Sequence, residues 1–399
     1  MLKWLYPIAV WTGTLLFVPL TQAEEETKSY TFEGLYRLDY WTGLSGPLKD
    51  RIDNVGLLDL RFRVEGEKAK RLNVDLIYVQ AQGTHGNLPN QLQEAAQGID
   101  NAEVEVNTAR IFQAWAEKSF VNGKLSLLFG LYDLNSEFYV TDSSVTLLHP
   151  AFGIGSELAQ TGRNGPSIFP VTSLTLRATW KLDEEFSWRT ALLDGVPGDP
   201  GQPGGTHIKL DAGDGTLLIS ELSYARQTDK NETNKIAIGA WRYSSKFDDL
   251  LDVDLNGEPT KSENWGVYIL GERTLWHDND EAARKLDVFL RTGWASADVN
   301  QMDQSLGVGI LINGPLKSRL QDKLTVGIAA ERNGGKWRAS RVTLGKDDVS
   351  AELAYEVSYR ATIKEWFAIQ TDFQLVRNPG SQASNNDSLL AGVRLDFSF

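Results

Sequence analysis

The stretch LDLRFRVE, residues 58–65, decides the fold class of this chain, because apolar and charged side chains alternate along it without a break. A period of two is typical of a β-strand whose two faces meet different surroundings. In a soluble sheet the apolar face would lie inside and the charged face would meet water. In a transmembrane β-barrel the apolar face lies against lipid and the charged face lines a wet lumen.

The same alternation recurs to the end of the chain. We count 16 candidate strands, and an even number closes an antiparallel barrel with both termini on one side. In the third segment the parity places Leu76 and Tyr78 on the apolar, outward face. Residues 336–344 are either a further strand or part of a surface loop, so the count is open by about two. The candidate strands lie near residues 30–40, 58–65, 72–78, 110, 125–132, 174–180, 188, 218, 238, 267, 286–291, 308, 326, 349–357, 369 and 389–399.

Connection lengths support the barrel, because outer-membrane barrels alternate long external loops with short periplasmic turns. Four connections in the first half are long, and the three between them are short. The stretch 132–203 contains one of the long ones and the first part of another, and it is rich in Gly and Pro, which indicates loops that bind or gate. The sequence therefore predicts an all-β, transmembrane antiparallel β-barrel. The long connections are near 42–54, 80–108, 133–171 and 194–216, and the short ones near 66–71, 118–124 and 183–185.

Aromatic residues lie toward the ends of the proposed strands, where amphipathic rings favour the headgroup level of a bilayer. The alternative is the ordinary enrichment of aromatic residues in strands. The residues concerned are Tyr30, Phe32, Tyr40, Trp41, Tyr78, Trp188, Tyr224, Trp241, Tyr359, Trp366, Phe367 and Phe399.

The N-terminus reads as a secretory signal over residues 1–23, with cleavage expected after Ala23. An uncleaved membrane anchor is the alternative. Residues 24–399 then form a single barrel domain without cysteine, which suits a bacterial envelope protein held by its hydrogen-bonded framework. After the signal no run of 18 apolar residues follows, so no membrane helix is expected. The formal charge of −13 argues against a nucleic-acid partner.

The sequence offers no convincing catalytic or cofactor motif, so we expect neither an enzyme nor a bound cofactor. The four histidines are scattered without metal-ligand spacing. Acidic residues between Asp194 and Asp214 either bind calcium or form a plain surface loop.

Charged residues on the inward parity of neighbouring strands predict a polarised lumen wall. Mixed arginine and carboxylate groups would offer fixed donors and acceptors to neutral, hydroxyl-rich solutes, whereas bulky apolar solutes would gain nothing. The alternative is that these charges only keep a wide lumen wet and salt-bridged. The inward residues are Arg37, Asp39, Asp59, Arg61, Arg63, Glu65, Arg110, Arg177 and Arg189.

A set of distinctive segments runs through the mature chain. They are THGNLP (84–89), GKLSLLFGLYDLNSEF (123–138), FGIG (152–155), GRNGPSIFP (162–170), DGVPGDPGQPGGTHI (194–208), GDGTLLISELSY (213–224), GPLKSRLQDKLTVGIA (314–329), VRNPG (376–380) and LLAGVRLDFSF (389–399). In this order the segments resemble the carbohydrate-selective porin family, the OprB-like porins of Gram-negative outer membranes. The likeness covers nearly the whole mature chain, but it is weak in the tract that includes residues 252–259 and 336–344.

The resemblance implies a 16-stranded barrel in which some long loops fold into the lumen, and passive uptake of sugars such as glucose. Asp133, Glu137 and Arg163 are polar loop residues that Gly and Pro would let bend inward. Parity and loop position together predict a constriction made of Arg37, Asp39, Asp59, Arg61, Arg63, Arg110, Asp133, Glu137, Arg163 and Arg177.

We therefore predict an outer-membrane porin for carbohydrates and similar small polar solutes. The alternatives are a general porin without sugar preference, a barrel enzyme and a soluble lectin-like β protein. The expected partners are carbohydrate solutes, outer-membrane lipid and the barrel-assembly machinery, which would meet the C-terminal strand ending in Phe399. A homotrimer remains an open alternative.

Overall fold

A computed structural model of the protein describes residues 29–227, 232–279, 281, 283–345, 349–382 and 384–399. Within these residues sixteen strands form one closed antiparallel barrel, in which each strand pairs with its neighbours in the sequence and the first pairs with the last. The predicted fold class and strand number are confirmed. The predicted signal segment, residues 1–23, lies outside the described residues.

Most of the strands have the length of a single bilayer crossing. Two strands, β9 and β10, are much longer. Their bounds are β1 Tyr30–Gly43, β2 Asp53–Glu65, β3 Leu76–Gly86, β4 Ala109–Phe120, β5 Leu125–Tyr132, β6 Ser173–Lys181, β7 Phe186–Asp194, β8 Thr216–Gln227, β9 Thr233–Val253, β10 Pro259–His277, β11 Lys285–Ala295, β12 Met302–Asn313, β13 Lys323–Asn333, β14 Ala351–Lys364, β15 Phe367–Arg377 and β16 Ser388–Ser398.

Short helices lie in the connections. The segment 336–344 is neither a strand nor a plain loop, because residues 336–343 lie in the helix α4. Residues 72–75 lie before β3 rather than in it. The helices are α1 Gly66–Arg71, α2 Pro89–Gln93, α3 Ser156–Ala159 and α4 Gly335–Thr343, with 3-10 turns at Leu134–Ser136, Asp142–Ser144, Pro150–Phe152 and Pro379–Ser381. None of the helices in the described part of the chain is long and apolar enough to cross a membrane.

The two faces of the barrel follow the alternation seen in residues 58–65. Asp59 on β2 is only 3% exposed because it faces a filled interior, whereas Phe62 on the same strand is 40% exposed on the outer surface. The outer surface carries a continuous apolar band, which suits contact with lipid. Its members include Phe129, Leu176, Trp188, Leu192, Leu218, Ile238, Ile269, Leu290, Ile328, Val357 and Phe373.

At the end of the barrel where β1 finishes and β2 begins, four loops belong to the first half of the chain. We name them L1 (44–52), L2 (87–108), L3 (133–172) and L4 (195–215). The opposite end has shorter connections, such as 121–124 between β4 and β5 and 182–185 between β6 and β7. The predicted alternation of long and short connections agrees with these bounds from L2 to L4. It is wrong for the first pair, because residues 66–75, which include α1, are ten residues long and L1 is nine.

L3 folds back into the barrel and makes a protein core inside it. Leu134, Phe138 and Tyr139 are fully buried there, and Tyr139 stacks on Tyr268 of β10 with ring centroids 4.0 Å apart. Gly327 on β13 allows close approach, because a Cβ at this position would lie 2.7 Å from side-chain atoms of L3.

This inner core corrects part of the aromatic prediction. Trp41, Tyr78 and Trp241 are 1–2% exposed and face the interior rather than the headgroup level. Leu76 and Tyr78 therefore lie on the inward face of β3, opposite to the parity that the sequence indicated, because L3 and the neighbouring Trp115 provide an apolar environment inside the barrel.

Candidate functional site

L3 is anchored to the barrel wall by an ion pair between Glu137 and Arg177. Oε2 of Glu137 lies 2.8 Å from Nε of Arg177 on β6, and Nη1 of the same arginine lies 3.1 Å from Oε1 of Glu117 on β4. Arg189 on β7 adds a donor at 2.9 Å to the carbonyl oxygen of Glu137. Burial acts to raise the pKa of Glu137, but Arg177 and Arg189 outweigh it and hold that pKa below its ordinary value.

Beyond this anchor, inward carboxylates fix the backbone of L3 along the wall. The backbone N–H groups of Tyr139, Ser143 and His149 donate to these carboxylates at 3.0, 2.6 and 3.0 Å. Such charge-assisted bonds are stronger than bonds between neutral groups. L3 is thus held from β6 to β14, and it narrows the lumen. The accepting residues are Glu221 on β8, Glu272 on β10 and Glu356 on β14.

The inward charges of β1 and β2 form paired groups that stay partly open to the lumen. Arg61 donates from Nε to Asp59 at 2.9 Å, and the other oxygen of Asp59 accepts from Gln80 at 2.6 Å. Arg37 donates from Nε to Asp396 on β16 at 2.8 Å. The side chains of Arg37 and Arg61 are 21% and 16% exposed, so solutes in the lumen can reach them.

Arg63 and Asp39 complete this part of the predicted set. The guanidinium of Arg63 lies over the ring of Tyr78, 5.5 Å from its centroid. Asp39 is buried and receives two hydrogen bonds of 2.7 Å from Arg394 on β16. Asp39 and Arg394 are both almost fully buried, so this pair is closed to a solute in the lumen.

A cavity of about 340 Å³ lies between L2, L3 and L4, in the size range of small-molecule sites. Arg110 lines it and donates from Nη1 to the carbonyl oxygen of Pro170 at 2.7 Å, while its buried Nε has no partner among the residues that the structure describes. Glu103 lines it too and accepts from the backbone N–H of Asn90 at 2.6 Å. Burial raises the pKa of Glu103 to about 7, so near neutral pH this carboxyl exchanges a proton.

The last two predicted residues differ from each other. Asp133 is partly buried at the start of L3, where it accepts at 2.9 Å from the backbone N–H of Asn135, and its desolvation raises its pKa to about 7. Arg163 lies apart, half-exposed beside L4, with Nη1 3.5 Å from Asp214. The structure therefore brings the predicted residues into three groups, on the β1–β2 wall, at the L3 anchor and in the L2–L4 cavity, and it leaves Arg163 outside them.

No group of three or more potential metal ligands occurs among the residues that the structure describes. Of the acidic residues considered for calcium, Asp199 pairs with Lys209 at 3.4 Å and Asp214 with Arg163. These carboxylates are engaged with cationic side chains.

A closed sixteen-strand barrel with a lumen narrowed by its third loop invites comparison with known porins. A family model described as "Carbohydrate-selective porin, OprB family" matches residues 49–399. The chain belongs to this family. An OprB-family porin is a sugar-selective channel of the Gram-negative outer membrane, and the predicted family, location and channel function are confirmed.

Individual relatives of this OprB-family chain are distant in sequence. Porin B of Pseudomonas aeruginosa is 20% identical over 315 residues, which cover 73% of this chain and 68% of that protein. The high-pH structure of Pseudomonas putida OprB superposes with a TM-score of 0.81 at 18% identity, covering 93% of this chain and 94% of that one. The outer-membrane channel DcaP of Acinetobacter baumannii gives 0.55 at 10% identity, covering 93% and 97%. At these identities the solved structures show the shared fold.

The sequence did not predict several residues that position charged groups and loops in the lumen of this OprB-family porin. Arg394 and Asp396 lay on the polar parity of the last strand, so alternation alone could have selected them. Gln80 was missed because the parity of β3 was wrong. Asp100, which contacts Arg394, lies in an irregular loop where no periodic signal exists.

Proposed function

We propose that this OprB-family porin passes neutral sugars of about the size of glucose by passive diffusion. The observation that carries the proposal is that the lumen charges are paired. Arg37, Arg61 and Arg177 each have a carboxylate partner within 2.9 Å. A wall of paired charges presents hydrogen-bond donors and acceptors but little net charge. A polyol can replace its hydrating water with these groups, whereas an ion gains little electrostatic stabilisation from them.

The narrowing comes from the loops in this proposal. A sixteen-strand barrel alone encloses an aqueous channel too wide to select small solutes. L3 is held along the inner wall by carboxylates, and L2 enters from the other side. Together the two loops reduce the width of the channel. We place the selective passage between these loops and the wall of β1 and β2, with the L2–L4 cavity around Arg110 and Glu103 on the approach to it.

Liposome swelling with sugars of graded size tests the proposal, together with single-channel recordings in which sugars block the ion current. We expect glucose to enter quickly, disaccharides slowly and charged sugars of equal size more slowly than neutral ones. If glucose neither permeates nor reduces the ion current while charged solutes pass freely, the sugar assignment is wrong. Equal rates for all solutes below one size would favour the general porin.

Three further expectations belong to this proposal. Signal cleavage after Ala23 predicts a mature chain that begins at Glu24, which mass spectrometry of the purified protein checks.

The C-terminal Phe399 exchanges hydrogen bonds of 2.7 and 2.9 Å with Gly34 of β1, so its deletion is expected to slow barrel assembly in membranes. Cross-linking in membranes tests the homotrimer, and a ladder that stops at the monomer would oppose it.

A further inference from the structure

The seam that closes the barrel carries an arginine whose contacts reach beyond the two seam strands. Arg394 of β16 lies directly opposite Asp39 of β1 in the pairing register. It donates from Nε and Nη2 to the two carboxylate oxygens of Asp39, both at 2.7 Å. This two-pronged geometry fixes the plane of the guanidinium, which a lysine could not do. The remaining N–H groups of the Arg394 guanidinium therefore point in a fixed direction.

That direction is toward L2. Nη2 of Arg394 lies 2.8 Å from Oδ1 of Asn101 and 3.5 Å from Oδ1 of Asp100. Trp41 of β1 completes the junction, because its Nε1–H donates to Oδ2 of Asp100 at 2.6 Å. Arg394 and Trp41 are both buried in the described structure. Both strands of the seam thus hold the same short segment of L2.

The contact continues from L2 to L3. Asn101 donates from Nδ2 to the carbonyl oxygen of Leu147 in L3 at 3.2 Å. An apolar cluster surrounds the junction and contains residues from L1, L2, L3 and the last two strands. Its members are Trp41, Leu48, Ile99, Leu148, Val376 and Leu390. Three loops from the first half of the chain therefore meet at the strand pair formed by the chain's two ends.

We propose that Arg394 and Trp41 are positioning residues for the pore constriction: they fasten L2, and through Asn101 also L3, to the closing seam of the barrel. They need not touch the solute. Without them the barrel keeps its full set of strand pairs, but L2 leaves its docked position for part of the time and the passage widens. The inference rests on the proposed narrowing by L2 and L3, and it does not depend on which solute passes.

Two substitutions remove contacts of Asp100 in L2 and leave in place both the Arg394–Asp39 pair and the hydrogen bond from Arg394 to Asn101. Trp41→Phe removes the Nε1–H donor and keeps an aromatic ring, and Asp100→Ala removes the acceptor. Loss of a hydrogen bond to a charged group is expected to shift the docking equilibrium of L2 by about tenfold. In single-channel recordings in potassium chloride, the fraction of time in states of higher conductance should rise by that factor. Arg394→Gln should have the larger effect.

Folding is followed in the same samples. A closed barrel is expected to run faster than the unfolded chain on gels without heating, which checks whether each variant has closed. The matched control is Arg377→Gln, which removes an arginine that pairs at 3.2 Å with Asp387 at the same end of the barrel, outside the seam junction. This control should keep the conductance of the wild-type protein.

The outcomes separate the possibilities. Folded Trp41→Phe and Asp100→Ala barrels with new high-conductance states support the positioning role. Folded barrels of both variants with wild-type conductance overturn it, as does an equal change in Arg377→Gln. Should Arg394→Gln fail to fold, the other two variants still decide. If glucose fails to block even the wild-type current, the proposed sugar function is wrong, but the potassium chloride recordings still test the role of the seam.

Discussion

Glu137 of L3 lies with its carboxylate 2.8 Å from Nε of Arg177 on β6, and the two side chains are 12% and 2% exposed. A loop residue thus neutralises an arginine that would otherwise project from the wall into the lumen. Because a buried charge without a partner is costly, the loop and the wall hold each other in place. The position of L3 is consequently linked to the charge state of the lumen.

Glu137→Gln is expected to release this end of L3. The change leaves Arg177 with Glu117 but removes the main partner of the pair, and breaking a buried ion pair in this way costs about 3–5 kcal/mol. We expect a lower free energy of unfolding, measured by urea titration of the barrel in lipid vesicles, and a shift of the channel toward anions, measured as the reversal potential in a salt gradient.

The control for this prediction is Glu263→Gln, because Glu263 pairs with Arg242 at 2.6 Å on an exposed part of the long β9–β10 hairpin. Exposed pairs contribute only about 0–1 kcal/mol. Equal losses in the two variants, or an unchanged reversal potential for Glu137→Gln, would show that the anchor does not set the charge of the lumen.

Asp133 should make stability depend on pH in the direction opposite to an ordinary ion-paired carboxylate. Burial raises its pKa from 3.8 to about 7, so the folded protein holds this proton more tightly than the unfolded chain. Its contribution to stability is therefore present at low pH and declines as the pH rises from about 4 to about 7, by up to about 4 kcal/mol. Asp133→Asn, which keeps an oxygen for the N–H of Asn135, should remove this decline.

Urea titrations at several pH values compare the two proteins. The control is Asp183→Asn in the 182–185 turn, where an exposed carboxylate accepts backbone N–H groups at 2.7 and 2.8 Å. This variant should keep the pH dependence of the wild-type protein. A stability difference between Asp133→Asn and wild type that does not change between pH 4 and pH 7 would contradict the prediction.

The fold could be predicted from alternation because lipid imposes one simple rule on the outer face of every strand. Residues 58–65 obey it, and so do the other strands at their outward positions. The inner face follows no such rule in this protein, because L3 brings its own apolar side chains into the barrel. Tyr78 and Trp241 pack against that inner core, so their character carries no information about which face they occupy.

The site residues that lie on strands could be predicted from the alternation in the sequence, whereas those in loops could not. Asp59 and Arg61 were selected by parity and do meet in the structure. Asp100 could not be selected, since its role depends on a loop path that brings it to Arg394 across almost 300 residues of sequence. Arg163 was selected for its place in a motif, but its guanidinium is directed to L4 by Asp214.

Arg61→Gln should make the lumen more attractive to cations. Asp59 then keeps only amide donors such as Gln80, and its negative charge is no longer balanced. In a water-filled lumen one unbalanced negative charge lowers the energy of a passing cation by roughly 0.6 kcal/mol and raises that of an anion by as much, so the ratio of cation to anion permeability should rise about eightfold. Reversal potentials in a potassium chloride gradient give this ratio, and glucose should block the current less well.

The control for Arg61 is Arg226→Gln, since Arg226 pairs at 3.5 Å with Glu185 at the short-turn end of the barrel and is well exposed. It should leave both the reversal potential and the glucose block unchanged. If Arg61→Gln does the same, the pair on β2 has no part in selection, and the lumen charges serve only to keep the interior wet.

The assignment of the two barrel faces leads to a prediction that uses one substitution at two positions. Leu176 on β6 is 52% exposed on the outer, lipid-facing band, and Ser187 on β7 faces the lumen, where its hydroxyl meets that of Ser223 at 2.8 Å. Leu176→Arg places a charge in hydrocarbon and should lower the free energy of unfolding in lipid vesicles by about 2–4 kcal/mol. Ser187→Arg should lower this free energy much less, because its charge stays in water. In detergent micelles, which adapt to a charge more easily, the difference should shrink. Equal losses for the two variants in vesicles would mean that the apolar band is covered by protein rather than by lipid.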